Sequence, residues 1–325
     1  MAPTPTGTSY SEPEYAKAQD RAKVPFYTPD ITSRLVPETQ DLLEKYSNVP
    51  RDQQVKHVHL IVSSLPATMI ESPMSLGEVK LDTIRIASNE NLTLAAQRDK
   101  AWDIRAYPCI GLGVWLTPQL RRLPTYQNIV SRLKDGESLM DVGTFIGHDL
   151  RRLVYDGAPS ENLFGVDIVN HFDVGYEFFR DRDTFRGVFI EADFLSSSPQ
   201  LVALRGKIDI LLVSQLLHQW DWEHQVKALE TLIGFTRPGS AIVGNQIGNS
   251  IAQSVTFKTD PPATTWRHDC ESLDKMFAEA GKATGSKWET QAWLRSSEEM
   301  GWDEKALAWM EPNVCVIEFV ANRVS

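Results

Sequence analysis

The pattern of apolar and polar residues changes character near Ser138. Upstream, apolar positions recur at three- and four-residue spacing, which is typical of amphipathic helices, in residues 36–65, in residues 82–105 and in a stretch that ends at Gly136. Downstream, short apolar runs alternate with amphipathic stretches, and this alternation indicates a parallel sheet covered by helices on both faces. The last two runs lie close together in the chain, which allows an antiparallel hairpin at one sheet edge. The runs are SLMDV (138–142), NLFGVD (162–167), GVFIEAD (187–193), KIDILLVS (207–214), SAIVGNQ (240–246), KWETQAW (287–293) and NVCVIEFVA (313–321).

These patterns divide the chain into three predicted regions. Residues 1–30 are rich in proline and polar residues, and we expect a flexible arm. Residues 31–137 are expected to be helical, and residues 138–325 are expected to form the α/β domain. The sequence shows no internal repeat.

Composition narrows the classes of partner. The chain has 325 residues, 42% hydrophobic content and a net charge of −10, so duplex nucleic acid is not expected as a partner. It lacks an apolar stretch of about 18 residues, so no membrane partner is expected. Cys109, Cys270 and Cys315 form no paired motif, and His57 and His59 do not share a helix face, so no metal site is predicted. We expect a cytoplasmic protein that acts on a small molecule, with a homodimer left open.

A glycine turn follows the first predicted strand, in LMDVGTFIGHDLRRL. Gly143 allows a sharp turn and a close ligand approach, and Gly147 allows the helix to begin close to the strand. The turn lacks the GxGxxG spacing that binds a dinucleotide, because Phe145 stands near its centre. Asp141 would repel a diphosphate and suits a ligand that carries an amine. The turn with Thr144 is therefore a candidate binding site, and the alternative is a turn that serves packing alone.

Two further strand ends carry carboxylates. Asp167 ends FGVDIV, where an acid can accept hydrogen bonds from ribose hydroxyls, with Ile168 beside it. Asp193 ends the next run and can accept from the exocyclic amine of adenine, while the backbone N–H of Phe194 can bind a ring nitrogen. The alternatives are a solvent-facing acid for Asp167 and an ordinary turn for Asp193.

The fourth strand end is SQLLHQW, from Ser214 to Trp220. Ser214 and Gln215 are expected on the floor of the same crevice. His218 and Trp220 either face a substrate or pack under the next helix. Taken in order, the four strand ends would hold an amine, a ribose and an adenine without a phosphate, which describes S-adenosylmethionine.

The same stretches resemble class I S-adenosylmethionine-dependent methyltransferases. Within that class, RAYPCIGLGVWL (105–116), the glycine turn and TTWRHDCESLDKMFAEAG (264–281) resemble fungal biosynthetic enzymes that include carboxyl methyltransferases of meroterpenoid pathways. The resemblance implies an α/β, Rossmann-like, doubly wound sheet of seven strands, mostly parallel with an antiparallel last strand. It also implies that residues 31–137 form a helical lid over the methyltransferase domain 138–325, and that Tyr107 approaches the sulfonium end of the cofactor.

Methyl transfer to a carboxylate needs no general base, whereas transfer to a hydroxyl usually does, most often a histidine. His218 and His268 are the candidate bases, and His171 and His224 are expected at the surface. Arg267 is a candidate cationic partner for an anionic substrate; its alternatives are a solvated charge or a cap on the helix near Asp269. Arg295 is a second such candidate. An apolar substrate wall, or else core packing, is expected from Trp115, Trp220, Trp266, Trp288 and Trp293.

The leading hypothesis is thus an O-methyltransferase of a small fungal terpenoid or polyketide, acting on a carboxylate or a hydroxyl. One alternative is an enzyme that binds the cofactor but catalyses an isomerisation, cyclisation or pericyclic step, with the sulfonium as a fixed charge. A non-catalytic methyltransferase-like subunit is less consistent with the presence of all three strand-end acids, Asp141, Asp167 and Asp193. Phe145 and Asp141 argue against a NAD-dependent enzyme.

Overall fold

The computed structural model describes residues 24–28, 30–59, 96–257, 263–302 and 308–325. Strands in this part of the chain build one large sheet and one small hairpin. They are β1 (Leu139–Val142), β2 (Leu163–Asp167), β3 (Val188–Glu191), β4 (Ile208–Ser214), β5 (Thr236–Asn249), β6 (Gln253–Phe257), β7 (Ala263–Arg267), β8 (Trp288–Arg295) and β9 (Val314–Arg323).

The large sheet has the order β3-β2-β1-β4-β5-β9-β8. Neighbouring strands from β3 to β5 pair in parallel, and β9 pairs antiparallel with both β5 and β8. The predicted seven-stranded, doubly wound sheet with an antiparallel last strand is therefore confirmed. The strand order reverses direction between β1 and β4, which is where open α/β sheets bind their ligands.

Apolar side chains alternate along the strands, so both sheet faces carry a core. Met140 and Val142 of β1 face one core, and Leu139 faces the other. The first core packs against α8 (Pro199–Leu204), α9 (Trp222–Ile233) and α10 (Cys270–Thr284). The second packs against α5 (Tyr126–Lys134), α6 (His148–Tyr155) and α7 (Phe172–Phe179).

A third apolar cluster joins the N-terminal helices to the carboxyl edge of the sheet. These helices are α1 (Pro37–Lys45), α2 (Arg51–His59), α3 (Ala96–Ile104) and the short α4 (Pro108–Gly111). They confirm the predicted helices where the two overlap, while residues 60–65 and 82–95 of those predictions lie outside the described residues. None of the described helices has the length and apolar character that crossing a bilayer requires.

Two features depart from the sequence predictions. β6 and β7 form an antiparallel hairpin beside the large sheet, where no strands were predicted. Phe26, near the end of the predicted flexible arm, is buried against Trp102 and Trp309, with ring centroids 6.0 and 5.7 Å away. The last residues of the arm are therefore packed, and the remaining boundaries of the three predicted regions stay predictions.

Candidate active site

A cavity of about 560 Å³ lies at the carboxyl ends of β1 to β4, beneath the N-terminal helices. Its lining comes from the strand ends, from β7, from the loop that precedes β9 and from residues 107–119, which are called the lid segment below after the sequence prediction. The cavity brings together most of the residues predicted from sequence. These are Tyr107, Asp141, Gly143, Thr144, Asp167, Ile168, Asp193, Phe194, Ser214, Gln215, His218 and Arg267.

The glycine turn is held by the neighbouring strand. The N–H groups of Gly143 and Thr144 both donate to the carbonyl of Val166, at 2.8 and 3.1 Å, so the turn folds tightly over β2. Gly143 has a φ of 78°, a conformation that favours glycine. Gly147, with a φ of 67°, does not line the cavity; a Cβ there would lie 2.4 Å from Nη1 of Arg151. Its role in the structure is close packing at the start of α6.

Asp141 lies at the mouth of the turn and is only 4% exposed. The hydroxyl of Thr144 donates to its Oδ2 at 2.8 Å. Burial and the nearby charge of Asp149 raise the pKa of Asp141 well above its usual range. An ammonium group at this point of the cavity would remove that electrostatic penalty.

Asp167 ends β2 and points back to the glycine turn. Its Oδ2 accepts the N–H of Phe145 at 2.9 Å, and its Oδ1 accepts the N–H of Val169 at 3.3 Å. Phe145 has a φ of 53°, which is unusual for a residue with a side chain, so this hydrogen bond helps to hold a strained turn. Burial raises the pKa of Asp167 to about 6, against the effect of these backbone donors.

The ends of β2 and β3 form an apolar slot next to an acid. Ile168 is 39% exposed, and the ring of Phe194 lies 6.1 Å from that of Trp220. Asp193 accepts the N–H of Leu195 through Oδ1, at 2.9 Å. The slot has the apolar walls and the polar edge that a flat heteroaromatic ring requires.

The end of β4 is tied to β5 and to the lid through three amides. Gln215 donates from its backbone to the carbonyl of Asn245 at 2.7 Å, and from Nε2 to Oδ1 of the same residue at 2.6 Å. Asn245 in turn donates to Oε1 of Gln119 at 3.5 Å, and Gln119 donates to the carbonyl of Thr117 at 2.9 Å. These bonds hold the lid segment against the carboxyl edge of the sheet.

Four polar atoms of cavity-lining residues are buried and have no hydrogen-bond partner among the described residues. Buried polar groups in folded proteins are nearly always hydrogen-bonded, so such atoms in a cavity indicate groups that a ligand or water satisfies. The atoms are Oγ of Ser214, Nε1 of Trp115, Nδ1 of His148 and Nδ1 of His171.

The cavity lining also includes His218, in the 3₁₀ turn Leu217–Gln219, and Arg267, at the end of β7. The Arg267 side chain is 3% exposed, and its Nε donates to Oε1 of Glu311 at 2.7 Å. Its Nη1 donates to the carbonyl of His218 at 3.1 Å. Arg267 is therefore neither a solvated charge nor a helix cap; Asp269 and Ser272 cap α10 instead.

For three residues the structure contradicts the position that the sequence predicted. His268 is fully buried beside Trp222 and donates or accepts through Nδ1 with Ser272; it does not line the cavity. Arg295 donates to the buried Glu318 at 2.8 Å and lies outside the cavity lining. His171, expected at the surface, is fully buried, and its Nε2 lies 3.1 Å from the carbonyl of Ala101.

The tryptophans divide between the cavity and the core. Trp115 and Trp220 line the cavity, whereas Trp288 packs against Phe277 in the core. Trp266 and Trp293 are also outside the cavity lining. His224 is exposed, as expected, and contacts Asp221.

Several cavity residues were not singled out from the sequence. His148 is the one that the sequence could have indicated, because it follows Gly147 directly and begins the helix after the glycine turn. The others lie in segments far from the strand ends in sequence, so no local pattern marks them. They are Phe26, Gln119, His148, His171, Trp302, Trp309 and Met310.

Comparisons with known proteins place this architecture in a family. A sequence family described as the meroterpenoid methyltransferase N-terminal domain matches residues 26–62. The O-methyltransferase atr3 of Stereocaulon alpinum is 33% identical over 270 residues, which cover 82% of this chain and 68% of that protein. The Asnovolin E/Chermesin D methyltransferase nvfJ of Aspergillus novofumigatus is 30% identical and is matched over 74% of this chain and 92% of its own length. The chain belongs to this family of fungal methyltransferases.

The similarities of this fungal methyltransferase to solved structures are weaker. A Burkholderia thailandensis 1,6-didemethyltoxoflavin-N1-methyltransferase, solved with its substrate and S-adenosylhomocysteine, has 12% sequence identity and a TM-score of 0.43. The match covers 78% of this chain and 93% of that chain. The predicted family, fold and enzyme class are therefore confirmed by the fungal relatives and by the strand order of the sheet.

Proposed function

We propose that this fungal methyltransferase binds S-adenosylmethionine and uses it to methylate an oxygen, preferably of a carboxylate, on a small apolar metabolite. One observation carries the proposal. Asp141, Asp167 and Asp193, from three successive strand ends, line one cavity together with aromatic side chains and His218. In this proposal the three acids define a cofactor half, and the remaining lining defines an acceptor half.

The residues of the cofactor half fit this ligand. No lysine lines the cavity within the described residues, and its arginines, Arg34 and Arg267, donate to the carbonyl of Gly301 and to Glu311. The half with three carboxylates therefore suits a cationic, phosphate-free ligand, and it would repel a diphosphate. The unpartnered Oγ of Ser214 and Nδ1 of His148 add polar groups that the ligand could satisfy.

Each acid has a distinct role in this proposal. Asp141 would hold the α-ammonium group, Asp167 the ribose hydroxyls, and Asp193 the amine of the adenine, while Ile168 and Phe194 would flank the ring. When bound, the cofactor supplies an electrophilic methyl group on a sulfonium. The protein's contribution is to fix this ligand and the acceptor in one orientation, which can supply up to ~7–11 kcal/mol in the best-oriented cases.

The acceptor half supports an apolar substrate. Phe26, Trp115, Trp302 and Trp309 come from different parts of the chain and contribute large apolar surfaces to the cavity. These walls exclude water from a bound acceptor. A carboxylate acceptor is ionised near pH 7, so the cavity needs only to orient it.

The test is methyl transfer from isotopically labelled S-adenosylmethionine to a panel of terpenoid and aromatic carboxylic acids, with the matching amides and methyl esters as controls. We expect label in an ester product, a mass gain of one CH₂ and equimolar S-adenosylhomocysteine. Turnover of an acid to an isomer without S-adenosylhomocysteine would overturn methyl transfer, and label in the amides alone would overturn the choice of oxygen.

A further inference from the structure

His218 is fixed in place by its backbone, not only by its ring. Its carbonyl accepts hydrogen bonds from Nη1 of Arg267, at 3.1 Å, and from the hydroxyl of Thr265. Both donors belong to β7, so the hairpin β6–β7 holds the turn Leu217–Gln219 at the end of β4. His218 lines the cavity from this fixed position.

The ring's hydrogen bond defines which nitrogen carries the proton. The backbone N–H of Ile247 lies 3.4 Å from Nδ1 of His218 and points at it. A backbone N–H can only donate, so Nδ1 has to be the acceptor, and the neutral ring then carries its proton on Nε2. The opposite tautomer would place two N–H groups face to face.

The surroundings also keep the ring neutral. Burial and the charge of Arg267 on β7 lower the pKa of His218 to about 3. Glu311 bonds to Arg267 through Oε1. Within the described residues no carboxylate is hydrogen-bonded to the ring, whereas a histidine base is normally oriented by such a third group.

We propose that His218 is a hydrogen-bond donor to the methyl acceptor, through Nε2–H, and not its general base. This inference rests on the proposed function and defines its substrate class. Because His218 takes up no proton in this role, the oxygen that it contacts is an oxyanion before it enters, as in a carboxylic acid, and not a neutral alcohol or phenol. A bond forms between the carboxylate oxygen and the methyl carbon, the carbon–sulfur bond breaks, and its electron pair stays on the sulfur.

The first test needs no substrate. ¹⁵N NMR of histidine-labelled protein in complex with S-adenosylhomocysteine reports the tautomer of each imidazole, and the His218→Gln variant assigns the signal. We expect His218 as the Nε2–H tautomer, unchanged between pH 5.5 and pH 8.5. A proton on Nδ1, or titration of the ring within that range, would overturn the proposal even if methyl transfer itself is correct.

The second test separates a donor from a base. The His218→Gln variant keeps an N–H donor, whereas the His218→Leu variant has none; the exposed His224→Gln variant is the matched control. With the carboxylic acid that gives ester in the labelled-cofactor assay, His218→Leu should lower kcat/KM about 10- to 100-fold, the typical effect of one hydrogen bond to a charged group. The kcat/KM of His218→Gln should stay within about threefold of the wild-type value, which is a smaller change than the loss of one hydrogen bond would cause.

The pH dependence completes this test. The wild-type kcat/KM for the acid should be level between pH 6 and pH 9, because no proton is transferred. Equal losses of about 10²–10⁴ in both His218 variants are the behaviour of a general base, and they would refute the donor role even with a level profile. A rise of kcat/KM with pH in this range would show that a proton must first be lost, and it would refute the proposal as well. Formation of S-adenosylhomocysteine in either case would leave the proposed function intact.

Discussion

At the scale of single residues, Asp167 is a candidate binding residue whose ionised carboxylate lowers the stability of the folded protein. Its carboxylate is half-buried at the end of β2, and the loss of solvent around it raises its pKa to about 6, compared with about 3.9 in an unfolded chain. The folded protein therefore binds a proton here more tightly than the unfolded chain does. The contribution of this group to stability is present at low pH and is lost as the pH rises through 6.

The Asp167→Asn variant should accordingly be more stable than wild type without ligand, by about 2 kcal/mol at pH 7.5, because the amide stays neutral and still accepts from Phe145. The gain should shrink as the pH falls toward 4. Urea unfolding at both pH values measures it.

The same change should weaken binding of S-adenosylhomocysteine about 10- to 100-fold, because a charged acceptor is lost. Wild-type affinity should itself fall below pH 6, and that of the variant should not, as calorimetry can show. An unchanged affinity at pH 7.5 would contradict the placement of the ribose.

At the scale of elements, the start of α6 depends on close packing around Gly147, and a substitution there can measure this dependence. Gly147 and Gly285 both have a φ of 67°, but a Cβ on Gly147 would lie 2.4 Å from Arg151 and 2.5 Å from Phe172, whereas nothing lies within 4 Å at Gly285. Gly285→Ala should cost only the left-handed strain, about 1–2 kcal/mol. Gly147→Ala should cost an additional ~1–3 kcal/mol of overpacking, measured by urea unfolding. Equal costs would mean that Arg151 moves away freely.

The ion pair between Arg267 and Glu311 joins β7 to the loop before β9. Arg267→Met should destabilise the protein by about 3–5 kcal/mol, because it leaves a buried carboxylate without its partner. Adding Glu311→Leu should restore much of that loss. A double-mutant cycle in urea measures the coupling, and purely additive costs would show that the pair does not hold the loop.

The elements that sequence predicts well are those with a strong local pattern. The runs around Leu139, Leu163 and Ile208 are apolar and end in polar residues, because parallel strands are buried on both faces and expose only their ends. The hairpin β6–β7 escaped prediction because QSVTF and ATTWR alternate weakly and contain few apolar residues. Their spacing around a proline pair was the signal that could have indicated a hairpin.

At the scale of the whole molecule, the two halves of the cavity differ in how far they can be predicted. The cofactor half lies at the ends of successive strands, so the sequence order of Asp141, Asp167 and Asp193 already predicts that they meet. The acceptor half is assembled from segments that meet only in the folded protein, such as Phe26 and Trp309. His171 was predicted at the surface, but it is fully buried, and its Nε2 lies 3.1 Å from the carbonyl of Ala101 in α3.

A Phe26 variant can show whether the N-terminal segment shapes only the acceptor half of the cavity, and not the cofactor half. Phe26→Ala should destabilise the protein by about 3–5 kcal/mol, as for other buried phenylalanines. The affinity for S-adenosylhomocysteine should stay within about twofold of wild type, because that ligand would contact the strand ends and not Phe26. A twofold change is smaller than the loss of a single hydrogen bond would cause. Val202→Ala, at an exposed position of α8, is the control. A large loss of affinity would show that the segment also shapes the cofactor half.

The connection between β8 and β9 contributes Trp302, Trp309 and Met310 to the cavity, yet it begins and ends on strands far from the three acids. Its sequence can therefore diverge, by substitution or by insertion, without altering the strands that carry the acids. If those acids hold the methyl donor as proposed, this separation lets the acceptor change over evolutionary time while the donor stays the same.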